Sequence, residues 1–244
     1  MLRHGGPSQT ELCKASWLGC ACMSLTRADL ELDRMRQELA QTPLGPHLLS
    51  AAELEESLWQ ILETRDTGEA CWVFGYGSLV WNPLFPFEEK RVVTAFGYHR
   101  SFCLWSRINR GTPDRPGLVL GLDRGGRCRG VAYRIAEEHL ENELRLIWRR
   151  EMMMGAYVPR WLKVSDGETR FRAIAFTINR NLPAYAGRMP PAAIVLTLLN
   201  SRGKAGPGID YLMHTVEALQ AHGIEDSQMQ ELCTLARSLS VPDF

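Results

Sequence analysis

The sequence predicts an α+β fold whose sheet is mostly antiparallel or barrel-like rather than doubly wound. Three observations predict it. Apolar residues recur at helical spacing through Leu62, and the period drops to that of a strand from Cys71 onward. Seven strand patterns then follow in a run broken by a single helical segment, not in strict alternation with helices. Three further helical patterns close the chain.

Composition bounds what such a fold can be. The chain has 244 residues, 45% hydrophobic and 23% charged, enough for one sizeable core with an appendage. Lys plus Arg and Asp plus Glu are 28 each, and no basic stripe is visible, which argues against nucleic acid and for a small-molecule partner. Seven cysteines, an odd number in a long chain, read as free thiols in a reducing cytoplasm rather than as a disulfide scaffold. Cys20-Ala-Cys22 lacks a second ligand pair at zinc spacing, so no metal site is expected. No apolar run approaches the roughly 18 residues of a membrane span. The short apolar stretch from Ala15 to Met23 is broken by Ser16 and Gly19 and preceded by Glu11, unlike a secretory signal. Residues 1–22 are expected to be a disordered leader, 23–69 a helical extension and 70–244 the main domain.

The elements follow in order. Thr26, with Asp29 as its capping-box partner, starts a helix to about Leu39, and Pro43, Gly45 and Pro46 break the chain. Ser50 with Glu53 starts a second helix through Leu54, Leu58, Ile61 and Leu62. Strands are expected at 71–76, 91–98, 102–106, 118–122, 128–135, 160–164 and 170–178, with Asp123-Arg124-Gly125-Gly126 as a tight hairpin turn. A helix between Glu137 and Gly155 ends at that glycine. The closing helices start at Pro190-Pro191, run from about Ile209 to Ala221 before Gly223, and begin at an Asp226 cap.

Two segments carry candidate chemistry. In Phe74-Gly75-Tyr76-Gly77-Ser78-Leu79 a strand runs into two glycines and a serine, a turn whose backbone N–H groups can cradle an anion such as a carboxylate. The Ser78 and Tyr76 hydroxyls would add directional hydrogen bonds. An ordinary strand–turn with glycines serving only the bend is the alternative. Val80 stands where a dinucleotide fingerprint needs its third glycine, and Tyr76 and Val80 occupy the glycine positions of a serine-hydrolase elbow. No Gly-Lys-Ser/Thr triplet supports a P-loop. In the second segment Leu140, Leu144 and Ile147 form an apolar stripe whose next position is Glu151. A carboxylate there is either desolvated, with a raised pKa suited to proton transfer, or paired with Arg149 or Arg150, which fall to its sides. Met152, Met153 and Met154 read as core filler, and Tyr157 lies close enough in sequence to reach the same site. Arg107, Arg110 and Arg115 lie in a polar loop that either borders a pocket or is solvated, and Tyr185 and Tyr211 read as core or rim. No His-Glu-x-x-His motif occurs.

Together these stretches resemble the ChaC-like γ-glutamylcyclotransferases. The resemblance rests on Val73-Phe74-Gly75-Tyr76-Gly77-Ser78-Leu79-Val80-Trp81, Gly97-Tyr98-His99-Arg100, Arg110-Gly111-Thr112, Gly130-Val131-Ala132-Tyr133, Arg150-Glu151-Met152-Met153-Met154-Gly155-Ala156-Tyr157 and Tyr211-Leu212. It spans about residues 70–225 and leaves the N-terminal helices without support. It implies a small mixed β-barrel flanked by helices. It also implies a γ-glutamyl site at Phe74, Gly75, Tyr76, Gly77, Ser78, Leu79 and Tyr157, with Glu151 as the catalytic residue. The implied activity is cleavage of glutathione to 5-oxoproline and cysteinylglycine, without metal or organic cofactor. Action on other γ-glutamyl peptides or amines, or a catalytically silent binding role on the same fold, are the rival readings.

Overall fold

A computed structural model of the chain describes residues 25–240. The leader expected at 1–22 and the Cys20-Ala-Cys22 pair lie outside the described residues. Both expected N-terminal capping boxes are formed. Asp29 Oδ2 accepts from the Thr26 N–H at 3.0 Å, and Glu53 Oε2 accepts from the Ser50 N–H at 2.7 Å. The first helix is nevertheless two, α1 (Arg27–Glu31) and α2 (Arg34–Ala40), separated at Asp33 with φ of 50°. On one straight helix Leu30 and Leu39 would face opposite sides, since nine steps of about 100° amount to half a turn. The break allows both to be buried. Helix α3 (Ala51–Leu62) buries Leu54 and Leu58.

A closed barrel follows, with strands β1 (Trp72–Gly75), β2 (Glu89–Ser106), β3 (Gly117–Arg134), β4 (Tyr157–Ser165) and β5 (Arg170–Ile178). Neighbours run β1-β3-β2-β4-β5. β1 is antiparallel to β3 and parallel to β5, where Val73 sits opposite Ile174, so the barrel is mixed. Val73, Phe74, Phe102, Leu118, Ala132 and Ile174 are among its buried side chains.

Here the structure corrects the strand count. The expected strands 91–98 and 102–106 are halves of β2, and 118–122 and 128–135 are halves of β3. Asp123-Arg124-Gly125-Gly126 is not a hairpin turn. It lies within β3, where pairing steps from Phe96 opposite Arg127 to Tyr98 opposite Arg124, and Gly97, Gly125 and Gly126 all have positive φ. Positive-φ glycines serve a bulge as readily as a turn, and a bulge bends a long two-stranded ribbon so that it can close a barrel. The turn of this ribbon is the 107–116 loop, with Ser106 paired to Gly117.

Helix α4 (Ser78–Trp81) is one short turn directly after β1, and α5 (Leu140–Glu151) joins β3 to β4. Gly155, with φ of 64°, completes the turn after α5, its N–H donating to the Met152 carbonyl at 2.9 Å. Helix α6 (Pro191–Asn200), a small hairpin of β6 (Arg202–Gly203) and β7 (Gly206–Pro207), α7 (Gly208–Ala221) and α8 (Ser227–Ser240) complete the chain. Asp226 caps α8, accepting from the Met229 N–H at 3.1 Å. Among the described residues no helix is long and apolar enough to cross a membrane. Cys71, Cys103, Cys128 and Cys233 are buried, and among the described residues they form no disulfide. Burial pushes the Cys71 and Cys103 thiols up to about 12, which leaves them poor nucleophiles.

One glycine links barrel packing to the strand that leads to the site. A Cβ on Gly130 would fall 2.4 Å from the Gly75 carbonyl oxygen and 2.7 Å from the Phe74 ring. Gly130→Ala is therefore expected to destabilise the fold by about 1–3 kcal/mol, as overpacking does. Thermal unfolding should show a Tm lower by several degrees, and an unchanged Tm would mean that the β1–β3 contact can spread at no cost.

Candidate active site

The site forms where β1 gives way to α4. The chain bends at Tyr76 and Gly77, so the N–H groups of Gly77, Ser78 and Leu79 open a helical turn, where no intrahelical acceptor exists. A Cβ on Gly77 would stand 2.8 Å from the Tyr211 hydroxyl, so only glycine admits this approach of α7 to the turn. Behind the turn, the Arg100 side chain from β2 is only 2% exposed. It donates from Nε to the Tyr76 carbonyl at 2.5 Å, from Nη2 to the Arg129 carbonyl at 2.7 Å and from Nη1 to the Asp226 carboxylate. The peptide at Tyr76 is thereby held from the side opposite the cleft.

The apolar stripe of α5 behaves as its spacing predicts. Leu140, Leu144 and Ile147 are buried, and the next position delivers Glu151 to the glycine turn. Glu151 lines a cleft of about 260 Å³, its open mouth included, together with Tyr76, Gly77, Ser78, Leu79, Leu120, Tyr157, Phe176 and Tyr211. Both readings of this carboxylate hold at once. It pairs with Arg150, Nε to Oε1 at 2.9 Å, and the two side chains are only 8% and 13% exposed. Burial pushes its carboxyl above the usual range, and the opposing pull of the Arg150 charge and hydrogen bond does not cancel that.

Arg150 does more than neutralise. Nη2 donates to Ser78 Oγ at 2.9 Å, and Nη1 donates to the carbonyls of Asn82 and, at 3.4 Å, Pro83. One guanidinium thus ties the carboxylate to the start and the end of α4. The tyrosines have committed their protons. Tyr76 Oη donates to the Phe176 carbonyl at 2.8 Å, and Tyr157 Oη donates to the Leu120 carbonyl at 3.0 Å. Burial raises both phenols well above their ordinary value, so they stay neutral and offer the cleft acceptor lone pairs. Burial also pushes Tyr211 up to about 12. The residues lining the cleft therefore combine the first N–H groups of a helical turn with a carboxylate and phenolic oxygens that can accept.

Most of the expected site residues meet here: Tyr76, Gly77, Ser78, Leu79, Tyr157 and Glu151. Phe74 and Gly75 do not line the cleft. They lie below it, where the Phe74 ring packs 6.4 Å from that of Tyr76 and Gly75 sits tightly under Leu79. Sequence reading counted them because the motif is continuous, whereas the strand directs only its last residues at the opening. Leu120 and Phe176 carried no signal beyond strand periodicity. Tyr211 is buried and lines the cleft, and Arg150, read as falling to one side, is central. Arg110 borders the site indirectly, its guanidinium 5.7 Å from the Tyr211 ring and donating to the Pro207 carbonyl at 3.1 Å. Tyr185 binds Asp123 at 2.8 Å instead. Met152 and Met153 are buried filler. Among the described residues no cluster of His, Cys, Asp or Glu could hold a metal ion.

A family model described as ChaC-like protein matches residues 71–239. The glutathione-specific γ-glutamylcyclotransferase of Escherichia coli K12 is 38% identical over 199 residues, covering 81% of this chain and 86% of that protein. Glutathione-specific γ-glutamylcyclotransferase 1 of Rattus norvegicus is 31% identical over 212 residues, covering 84% and 94%. The crystal structure of a glutathione-specific γ-glutamyl cyclotransferase from yeast shares the fold, with a TM-score of 0.64 at 19% identity over 71% of this chain and all of that one. With its barrel, its glycine turn and the carboxylate at the end of α5, the chain belongs to the ChaC-like family.

Proposed function

We propose that this chain cleaves glutathione to 5-oxoproline and cysteinylglycine by intramolecular cyclisation, with Glu151 as the proton-transfer group. The observation that carries the reading is a buried, proton-hungry carboxylate in one cleft with the glycine turn. The names of the relatives support glutathione as the substrate.

The chemistry asks little of the protein beyond placement and proton handling. The γ-glutamyl group carries its own nucleophile, the α-amine, which attacks the γ-carbonyl once it has lost a proton. The new C–N bond closes a five-membered ring, the ring nitrogen gives up a second proton, and the γ-amide C–N bond breaks. The departing nitrogen of cysteinylglycine takes up two protons in place of those the α-ammonium lost. Glu151 accepts the first proton and returns one to the leaving nitrogen. The N–H groups of Gly77, Ser78 and Leu79 would hold the α-carboxylate. The phenolic oxygens of Tyr76 and Tyr157 would accept from the α-ammonium and aim it past Glu151. A reducing cytoplasm is the compartment we assign, with no membrane or nucleic-acid partner.

The direct test is release of 5-oxoproline from reduced glutathione, run beside γ-glutamyl-alanine and γ-glutamyl-lysine. Comparable turnover of all three would replace the narrow substrate with a broad one, and binding without product would indicate a silent homologue. Glu151→Gln is expected to stay folded and bind substrate while kcat falls by about 10²–10⁴-fold, the scale of general acid–base catalysis. Near-normal product release by this variant would end the assignment.

The pH profile follows from the raised Glu151 pKa. The base form is lost as pH falls through a value above the ordinary 4.5, so kcat should drop on an acidic limb displaced upward from that of an exposed carboxylate. Arg150→Lys tests the guanidinium grip. An ammonium cannot serve Ser78, the Asn82 turn and Glu151 together, and we expect kcat/KM to fall by up to about a hundredfold through misplacement. Wild-type kinetics in this variant would show that the grip is dispensable.

A further inference from the structure

Residues 25–49 lie outside the span of the family model, yet they touch the site machinery repeatedly. The Asn82 side chain donates to the Leu25 carbonyl at 3.1 Å, while the Asn82 main-chain carbonyl receives Arg150. Arg27 donates from Nη1 to the Leu84 carbonyl at 3.2 Å and grips both oxygens of buried Glu143 at 2.6 and 2.8 Å. Glu143 precedes Glu151 by about two turns of α5. Arg149, on the same helix, donates to the carbonyls of Leu30 and Glu31 at 3.1 and 3.2 Å. The Leu49 N–H donates to the Met153 carbonyl at 3.0 Å, just past the end of α5.

We propose that Arg27 is a positioning residue of the active site, strapping the N-terminal segment across both the 82–84 turn and α5. The turn supplies two of the carbonyls that anchor Arg150, and α5 supplies Arg150 and Glu151. The catalytic carboxylate and the glycine turn are set by elements far apart in sequence, and Arg27 binds one atom group on each. A bidentate grip on Glu143 with a third bond to Leu84 is open to a planar guanidinium and closed to a shorter list of donors. The kinetic consequence rests on the cyclotransferase reading, while the structural one does not.

Three variants separate positioning from neutralisation of Glu143. Arg27→Met with Glu143→Leu puts apolar groups in place of a pair in which Glu143 is buried and the Arg27 side chain is 38% exposed, so no uncompensated charge is left inside. It removes the tether to Leu84 together with the surface bridge from Arg27 Nε to Glu31 at 2.7 Å. Arg34→Ala alters an arginine of the same segment whose side chain is 55% exposed and pairs with Asp29 instead. The double variant is expected to keep a Tm near wild type, to lose about tenfold in kcat/KM, and to show faster backbone hydrogen exchange across 78–84. Arg34→Ala should match wild type in all three. A double variant with wild-type kinetics and wild-type exchange would overturn the proposal and leave Arg27 as a mere counter-charge. If the double variant fails to fold, Arg27→Lys decides, since it keeps the charge beside Glu143 but cannot also reach Leu84; faster exchange across 78–84 supports the strap, and unchanged exchange overturns it. A wild-type chain that releases no 5-oxoproline defeats the functional reading, and the exchange measurement still decides this one.

Discussion

Arg150 holds three things in register that the chain delivers separately: the hydroxyl of Ser78, the carbonyls of Asn82 and Pro83, and the carboxylate of Glu151. A buried ion pair of this kind gives little net stability, because desolvating two charges costs about what their attraction returns. Its value here is geometric. The guanidinium fork spends its donors on fixed acceptors, so the carboxylate it pairs with cannot wander. Burial still wins at Glu151, and a carboxyl that resists ionisation is one that accepts a proton readily.

A second buried guanidinium works from the opposite side. Arg100 holds the Tyr76 peptide and the Arg129 carbonyl while its charge is met by Asp226. Asp226 also caps α8, so the C-terminal helices and the glycine turn share an anchor. The turn is thus gripped from below by Arg100 and from the α5 side by Arg150, with Tyr211 pressed against Gly77 from α7. Such bracing would suit the proposed cyclisation, in which the nucleophile lies within the substrate and the gain comes from holding one conformer.

The barrel explains how these pieces reach one place. β1 pairs with β3 and β5, and so ends in the middle of a closed wall rather than at an edge. The long β2–β3 ribbon carries Arg100, Arg129 and Leu120 around that wall, and its glycine bulge supplies the bend. Sequence reading mistook the bulge for a turn because Gly125 and Gly126 satisfy the local demand of either. Only the pairing partner on β2 distinguishes them, with Phe96 opposite Arg127 and Tyr98 opposite Arg124 on either side of Gly97.

What the chain determined by itself was local. Periodicity marked the helices and the strand-rich middle, capping residues marked helix starts, and a polar residue on an apolar stripe marked Glu151. Each is a property of near neighbours in sequence, where backbone geometry alone decides which side chains share a face. The tertiary structure decided the rest. It set the five-stranded closure, the placement of Arg150, the recruitment of Leu120, Phe176 and Tyr211, and the withdrawal of Phe74 and Gly75 beneath the cleft. These depend on which distant segments pack together, and a side chain such as that of Arg150 takes its role from whichever acceptors the fold brings within reach.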